Sequence, residues 1–255
     1  TTFTYKEAGD LKIQLDVHQR PAKGGLQPLA VWIHGGALIN GGREGVGPAR
    51  ELLDHGFCVA TIDYRLAPET KLPEIIADLE DAFRWLRKNG REKFGADTSK
   101  IAVIGGSAGG YMALTAGFRV DPPPTVLVAF WGYGDLVTSW MTNPSPHPGH
   151  HNRGPLSPEE MKAIESGPPI ANAKDRKGDG GAYYASTRQL GIWSEKVSGF
   201  DEKEVEEFYP YMAVKNVTPA YPPTLLIHGT EDTDVPHEQS EMMVAEFKKH
   251  GVPFE

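Results

Sequence analysis

Residues 101–119 read IAVIGGSAGGYMALTAGFR: an apolar run, a glycine-rich turn and a helical pattern, in that order. Within this stretch Gly105-Gly106-Ser107-Ala108-Gly109 fits the pattern G-x-S-x-G, at the point where the predicted strand turns into a helix. Glycines beside the serine let strand and helix approach without Cβ clashes, so the hydroxyl projects from the carboxyl edge of the sheet. The alternatives are an incidental serine or a phosphate loop, but the Gly-Lys-Ser/Thr ending of a phosphate loop is missing. The stretch therefore predicts that Ser107 is a nucleophile.

Around this stretch, short β-type runs alternate with longer helical patterns along the chain. This alternation predicts an α/β fold with a mostly parallel central sheet and helices on both faces. The middle runs are continuously apolar, as is typical of strands covered on both sides. The predicted strands are Phe3–Tyr5, Leu11–Val17, Leu29–Ile33, Cys58–Ile62, Ile101–Ile104, Thr125–Phe130 and Thr224–Ile227.

Three helices are predicted between these strands. The clearest spans Leu72–Lys88, where apolar residues recur on one stripe and Asn89-Gly90 provides an end signal. A second helix is expected to begin at Ser107. A third should run from about His237 to Lys249, followed by Gly251.

The pattern changes between residues 133 and 218, where Pro, Gly, His and Trp are frequent and β-type runs are absent. We expect this interval to be an inserted helical cap over one end of the sheet, with residues 1–132 and 219–255 forming the core. Weaker helical segments are predicted at Pro158–Glu165, Ala182–Val197 and Glu202–Met212. Its aromatic residues can line a pocket for the acyl or alcohol group, although packing against the core is the expected role of most. They are Trp140, Tyr183, Tyr184, Trp193, Phe208, Tyr209 and Tyr211.

A second glycine-rich turn, His34-Gly35-Gly36-Ala37, follows the apolar run LAVWI. Consecutive glycines leave backbone N–H groups unobstructed, so that they can point at a substrate oxygen. In the elbow architecture this loop and the residue after the serine form an oxyanion hole, which predicts Gly35, Gly36 and Ala108 as donors. A plain turn is the alternative for the two glycines. His34 is expected to fix the loop rather than to act as a base.

Three ordered motifs resemble those of one protein family. HGGA at 34–37, DYRLAPE at 63–69 and GGSAGG at 105–110 are similar to HGGG, DYRLAPE and GDSAGG of the hormone-sensitive-lipase-like branch of the α/β-hydrolases. The resemblance extends over residues 11 to 132 and from 222 to the end. It implies an α/β-hydrolase fold and hydrolysis of carboxylic esters through an acyl-enzyme, with no cofactor.

The same resemblance assigns an acid. The family pattern H-G-x-x-D-x-x-V-P reads HGTEDTDVP at 228–236, which places the acid at Asp232, with Asp234 as the competing residue. An aspartate at a strand end can hold an imidazole in the tautomer that accepts the serine proton. The histidine of this family follows the acid by about 30 residues. Only His237 and His250 follow here, neither in that position, so we expect the base beyond Glu255, together with a last strand and helix of the core.

Composition excludes several classes of partner. With 26 Lys+Arg and 34 Asp+Glu among 255 residues the chain has a net charge of −8, which does not suit a nucleic-acid binder. No apolar stretch is long enough for a membrane span, and the start TTFTYKEAG does not resemble a signal peptide, which predicts a cytoplasmic protein without a membrane partner. The single cysteine, Cys58, is expected to be buried. A homodimer is left open.

No metal is expected. His147, His150 and His151 invite a metal interpretation, but prolines and glycine separate them and no acidic partner is near in sequence, so a solvated loop is preferred. The predicted function is therefore that of a serine carboxylesterase acting on short-chain, small aromatic or acetyl esters. Two alternatives remain. One is an amidase or peptidase with the same triad. The other, if no histidine follows Glu255, is a non-catalytic module that binds a small molecule, as in the gibberellin receptors of this family.

Overall fold

The computed structural model describes residues 1–21 and 24–255, and a seven-stranded sheet runs through the middle of this part. The strand order is β1-β2-β4-β3-β5-β6-β7. The strands are β1 (Thr2–Ala8), β2 (Leu11–His18), β3 (Gln27–Ile33), β4 (Cys58–Ile62), β5 (Ala96–Gly106), β6 (Val126–Phe130) and β7 (Thr224–Ile227). Every predicted strand is present, and two of them have the predicted bounds.

The sheet is mostly parallel. β1 pairs with β2, and β2 with β4, in antiparallel fashion, whereas β4, β3, β5, β6 and β7 run parallel to one another. Since parallel neighbours start at one edge and end at the other, the segments that follow β3, β5, β6 and β7 meet at a single edge. This confirms the predicted sheet and explains why the two glycine-rich turns come together.

Helices cover both faces of this sheet. The longest helix of the described residues is α1 (Leu72–Phe94). It buries an apolar stripe against the same face of the sheet as α2 (Ala108–Arg119). A 3-10 helix at Gly47–Leu53 packs on the opposite face, where Ala30 and Val59 contribute buried side chains. The alternation of β3 side chains between the two clusters follows from the period of two in a strand.

Helix α1 extends beyond the predicted end at Lys88. Asn89 does not terminate it, because its side-chain amide donates back to the Trp85 carbonyl oxygen at 2.9 Å. Gly90 lies where a Cβ atom would come within 2.8 Å of Thr98 Cγ2, so its role is close packing against β5. The helix ends instead at Gly95, whose φ of +65° gives the left-handed conformation of a helix C-terminus.

Between β6 and β7 the chain forms short helices, as expected for this interval. One predicted helix, Ala182–Val197, is divided at Gly191, which has a φ of +67° and lies against the backbone of Asn143. Another, Glu202–Met212, is reduced to a short helix at Val205–Phe208 and a 3-10 turn at Tyr209–Tyr211. The helices are α3 (Ser139–Thr142), α4 (Pro158–Glu165), α5 (Gly180–Leu190), α6 (Trp193–Ser198), α7 (Val205–Phe208) and α8 (Ala213–Asn216). We call residues 133–218 the inserted segment; its division from the core as a separate domain stays a prediction.

After β7, α9 (Glu238–His250) returns along the sheet, and the last residues run beside β7. The Thr224 amide donates to the Pro253 carbonyl oxygen at 3.0 Å, and the Leu226 amide donates to that of Glu255 at 2.8 Å. Residues 253–255 thus pair in parallel with β7, as a further strand would. Among the described residues, each helix is too short or too polar to cross a lipid bilayer. Cys58 is buried, as predicted, and burial raises the pKa of its thiol to about 12.

Candidate active site

Ser107 lies between the end of β5 and the start of α2, in the sharp bend that the sequence predicts. Its φ of 55° and ψ of −121° are values that a residue with a side chain rarely adopts. Neighbouring backbone fixes this conformation: the Ser107 amide donates to the Phe130 carbonyl oxygen at 2.9 Å, and the Ser107 carbonyl oxygen accepts from the Tyr111 amide at 2.9 Å. Strain held in this way is common at functional sites.

The glycines around Ser107 are required by close backbone contacts. A Cβ atom on Gly105 would lie 2.1 Å from the Gly109 carbonyl oxygen, and one on Gly109 would lie 2.1 Å from the Ile33 carbonyl oxygen. Both distances are far below van der Waals contact. The spacing G-x-S-x-G is therefore the spacing that allows β5, α2 and the end of β3 to meet.

The turn after β3 places a second glycine pair against the serine. A Cβ atom on Gly35 would come within 2.7 Å of the Gly106 carbonyl oxygen and 3.4 Å of Ser107 Cβ. Gly36, with a φ of +109°, could not carry a side chain without strain. The backbone of this turn, residues 35–39, is hereafter the glycine loop, and it lies in contact with the bend at Ser107.

The glycine loop has a clear polarity. Each of its carbonyl oxygens accepts a hydrogen bond, whereas in residues 1–21 and 24–255 no acceptor lies within reach of the N–H groups of Gly35, Gly36 and Ala37. The donors to its carbonyl oxygens are His34 Nδ1, the amides of Ile39, Asn40 and Ala67, Trp193 Nε1 and Arg176 Nη1. The Ala108 amide, at the first turn of α2, likewise has no acceptor in this part of the chain. Unpaired donors beside a serine can bind an oxyanion.

His34 supports this loop, as predicted, and is not placed to act as a base. Its ring is buried, stacks on Tyr64 with 4.4 Å between ring centroids, and lies with Nδ1 2.8 Å from the Gly35 carbonyl oxygen. Burial lowers the pKa of His34 to about 4. The imidazole is therefore neutral at neutral pH, and its Nδ1 proton is engaged by the loop.

The motif at 63–69 connects the site to its surroundings through contacts that the sequence does not reveal. Tyr64 donates to the His34 carbonyl oxygen at 3.0 Å, and Glu69 forms an ion pair with Arg176 at 2.7 Å. Asp63 pairs with Arg43, and burial raises its pKa to about 6 despite that partner. Arg176 carries no signal in the sequence, since it lies in a polar stretch that is typical of a surface loop.

The predicted acid lies on the loop after β7, residues 228–236, which we call the acid loop. Asp232 Oδ1 accepts from the amides of Asp234 at 2.9 Å and Val235 at 3.0 Å, so its own loop orients the carboxylate. The Trp131 amide donates to the Ile227 carbonyl oxygen at 2.7 Å, which joins the end of β7 to the end of β6. The acid loop therefore leaves the same edge of the sheet as Ser107.

The competing acid, Asp234, is bound by the inserted segment. Tyr184 donates to its Oδ1 at 3.0 Å, and His150 Nε2 lies 3.3 Å from the same atom. Burial alone would raise the pKa of Asp234, but the hydrogen bond and charge of His150 hold it below the ordinary value. Asp234 thus has structural partners already, whereas the one group that approaches Asp232 Oδ2 among the described residues is His228, at 3.7 Å.

The prediction of a solvated loop at residues 147–151 is wrong for His150, whereas His147 is partly buried and His151 is exposed. His150 is 5% exposed and contacts Ser145 Oγ at 2.8 Å, and His147 contacts Thr233 Oγ1 at 2.8 Å. An acidic partner distant in sequence, Asp234, reaches His150 across the fold. In the part of the chain that the structure describes, no group of three or more His, Cys, Asp or Glu side chains is arranged to hold a metal ion.

Neither downstream histidine contacts the serine. His237 lies 3.6 Å from Glu241 at the first turn of α9, and His250 lies 3.5 Å from Glu246 in its last turn, about 20 Å further along the helix. Within residues 1–21 and 24–255 no imidazole is in hydrogen-bond distance of the Ser107 hydroxyl. The described residues thus bring together a serine, a set of N–H donors and an acid loop, without the base.

Two family models match separate parts of the chain. Residues 15–122, which include the glycine loop and Ser107, match the BD-FAE family. Residues 156–255, which include the acid loop, match the prolyl oligopeptidase family. Each match covers less than half of the chain.

Similar proteins include synthases and an esterase. The non-reducing polyketide synthase Preu6 of Preussia isomera is 27% identical over 98% of this chain, which corresponds to 13% of the synthase. Esterase LipC of Mycobacterium tuberculosis is 27% identical over 90% of the chain and 49% of the esterase. The chain therefore spans half or less of the length of these relatives.

A solved structure identifies the fold. An α/β-hydrolase superfamily protein from Enterococcus faecalis superposes with a TM-score of 0.73 over 100% of this chain and 87% of its own, at 20% identity. The chain therefore has the α/β-hydrolase fold, as predicted. Together with the esterase relative, the family matches support a hydrolase, without distinguishing the hormone-sensitive-lipase-like branch.

Proposed function

We propose, with the α/β-hydrolase fold as the premise, that this chain is the catalytic part of a serine carboxylesterase. Its substrates are short-chain, small aromatic or acetyl esters. Ser107 attacks the ester carbonyl carbon, an imidazole takes the serine proton, and Asp232 orients that imidazole and stabilises its charged form. The alcohol leaves with the proton, and water then hydrolyses the acyl-enzyme. No histidine of the described residues is assigned to the imidazole.

One observation carries the proposal: the polarity of the glycine loop beside Ser107. Within residues 1–21 and 24–255 its carbonyl oxygens are all engaged, whereas the N–H groups of Gly35 and Gly36, beside the serine, and that of Ala108 have no acceptor. Such donors stabilise the oxyanion that develops in the tetrahedral intermediate, each by about 2.7–4 kcal/mol. Donors directed at a serine in this way are the arrangement that an oxyanion hole requires.

A second candidate is hydrolysis of peptide bonds or other amides. The match of residues 156–255 to the prolyl oligopeptidase family favours it. Serine nucleophile, oxyanion donors and acid are common to both reactions, so that the substrate alone distinguishes them. Matched p-nitrophenyl esters and p-nitroanilides with the same acyl group, assayed side by side, separate the two candidates.

The first prediction concerns the nucleophile. In Ser107→Ala, hydrolysis of p-nitrophenyl acetate should fall by about a thousandfold or more, because no other group can form the acyl-enzyme. Labelling by an organophosphate, followed by intact mass, should be lost as well. An ester series from acetyl to decanoyl on the unchanged protein then gives the chain-length preference.

Ser99→Ala is the matched control, since Ser99 carries an exposed hydroxyl that donates to Asp97 on the surface. It should keep full activity and full labelling. Activity that survives in Ser107→Ala would contradict the proposal. An unchanged protein that hydrolyses neither esters nor anilides, and that resists labelling, would support the binding module instead.

A further inference from the structure

We propose that Trp193 and Arg176, two side chains of the inserted segment, are positioning residues for the glycine loop. They donate hydrogen bonds to carbonyl oxygens of the loop and thereby stabilise the conformation in which its N–H groups face Ser107. The inference rests on the proposed function for the catalytic role of these N–H groups. The effect of the two side chains on the conformation of the glycine loop can be tested without it. By this inference the inserted segment completes the oxyanion hole, in addition to covering the sheet.

The glycine loop is strained and needs external support. Gly36, Ala37 and Leu38 have consecutive φ values of +109°, 58° and 60°, and two of these three residues carry side chains that disfavour the left-handed region. A free loop of this sequence would relax to negative φ. Its peptide groups would then rotate, and the N–H groups would turn away from the serine.

Two side-chain donors oppose that rotation. Trp193 Nε1 donates to the Ala37 carbonyl oxygen at 3.2 Å, and Arg176 Nη1 donates to that of Ile39. The carbonyl oxygen between them, that of Leu38, accepts from the Ala67 amide at 2.8 Å. Since each peptide group is planar, the bonds to the Leu38 and Ile39 carbonyl oxygens also fix the amides of Ile39 and Asn40. Both amides donate to the Gly36 carbonyl oxygen, whose peptide group carries the Ala37 N–H group. The bond from Trp193 fixes the peptide group between Ala37 and Leu38, in the middle of the strained turn.

Both donors are themselves held firmly. Trp193 is 1% exposed, in the first turn of α6, and its ring packs edge-on against Tyr133. The side chain of Arg176 is also 1% exposed; two of its nitrogens bind the Glu69 carboxylate at 2.7 Å, and one of them also donates to the Ala67 carbonyl oxygen at 2.7 Å. A buried bidentate pair of this kind has little freedom, so it transmits the position of the inserted segment to the loop.

The chain offers a matched control for Trp193. Trp140 is also in the inserted segment and packs edge-on against the same Tyr133, at 5.4 Å compared with 6.2 Å for Trp193. Its indole nitrogen is buried without a hydrogen-bond partner in the described residues. Phenylalanine at either position removes the indole N–H and some ring volume, but only at Trp193 does it remove a bond to the glycine loop.

The experiment compares Trp193→Phe with Trp140→Phe in the full chain. We expect kcat for a p-nitrophenyl ester to fall about tenfold in Trp193→Phe, with KM changed less than twofold, because the loop acts on the transition state. Affinity for an aryl boronic acid, which forms a tetrahedral adduct with the serine, should fall by a similar factor. Trp140→Phe should stay within twofold on every measure.

Amide hydrogen exchange at Ile39 and Asn40, whose amides donate to the Gly36 carbonyl oxygen and so report opening of the glycine loop, gives a measurement that needs no activity. Exchange at these amides should become about tenfold faster in Trp193→Phe than in Trp140→Phe. Arg176→Lys, which keeps the ion pair with Glu69 but loses the planar fork, should show the same change and is the second variant if Trp193→Phe does not fold.

Equal exchange rates in the two tryptophan variants, or an equal loss of kcat, would overturn the inference. If the unchanged protein is active and the variants do not differ, only the positioning role fails. If the unchanged protein shows neither hydrolysis nor labelling, the proposed function fails, and the exchange rates still decide whether Trp193 holds the loop.

Discussion

At the scale of single residues, close backbone contact determines which positions of the site must be glycine. Gly109 packs against the end of β3 so closely that there is no room for a methyl group, and Gly105 packs equally closely against Gly109. Ser107, between them, keeps a side chain in a conformation that glycine would adopt more easily. The hydroxyl at this position therefore costs stability, which is a common property of catalytic groups.

Gly109→Ala should destabilise the fold because its Cβ atom would lie 2.1 Å from the Ile33 carbonyl oxygen. The expected loss is about 1–3 kcal/mol in the free energy of unfolding, the range for forced overpacking. Gly45→Ala is the control, since nothing lies within 4 Å of a Cβ atom there. Urea denaturation of both variants measures the difference, and an equal stability of the two would refute the steric explanation.

The buried imidazole of His34 makes stability depend on pH. Its pKa of about 4 in the folded chain lies below the ordinary value of 6.5, so the unfolded chain binds the proton first as the pH falls. His34 should therefore cost stability progressively from about pH 6.5 to pH 4, by about 3 kcal/mol in all, and have no such effect above pH 7.

NMR titration of the His34 ring protons tests this directly: no chemical-shift change of protonation is expected above pH 5. Between pH 6.5 and 4, unfolding of His34→Gln should take up one proton fewer than unfolding of the unchanged protein. Its unfolding free energy should therefore vary less with pH in this range. A ring that titrates near 6.5 would contradict the burial argument.

At the scale of elements, end signals decide where helices stop only when packing agrees with them. Asn89-Gly90 is a typical end signal, yet α1 continues because the side chain of Asn89 bonds within the helix and Gly90 packs against β5. Helix α4, in contrast, begins directly after a residue that caps it, Ser157. The Ser157 hydroxyl accepts from the Glu160 amide at 3.2 Å, and Glu160 accepts from the Ser157 amide at 2.8 Å, which is a capping box for α4.

Ser157→Ala should weaken α4 by about 1 kcal/mol, because one amide of the first turn loses its acceptor. Faster amide hydrogen exchange within Pro158–Glu165 is the measurement, at a pH where exchange follows local opening. Glu159→Gln, in the same turn but without a capping bond, should leave exchange nearly unchanged. If both variants exchange equally, the capping box does not hold this helix.

At the scale of the whole molecule, the inserted segment reaches both loops at the carboxyl edge of the sheet. Trp193 and Arg176 contact the glycine loop, and His150 and Tyr184 contact Asp234 of the acid loop. The parallel arrangement of the strands creates this shared edge, since every βα turn leaves from it. A single segment can therefore affect the glycine loop and the acid loop together.

The sequence by itself determined the alternation of strands and helices, the bend at Ser107 and the glycine turn after β3. These features depend on residues adjacent in the chain, through hydrophobic period, turn chemistry and steric limits on glycine. For the same reason the bounds of β4 and β7 could be predicted, while the end of α1 could not.

Only the tertiary structure decided which polar side chains of the inserted segment are buried and what they bind. Arg176 reaches Glu69 across 107 residues, and Trp193 reaches Ala37 across 156. The loop that holds His150 has the composition of a solvated loop, yet the side chain is buried against Asp234. Burial and pairing of this kind depend on how separate elements pack, and no local pattern in the chain encodes which distant partner a polar residue will meet.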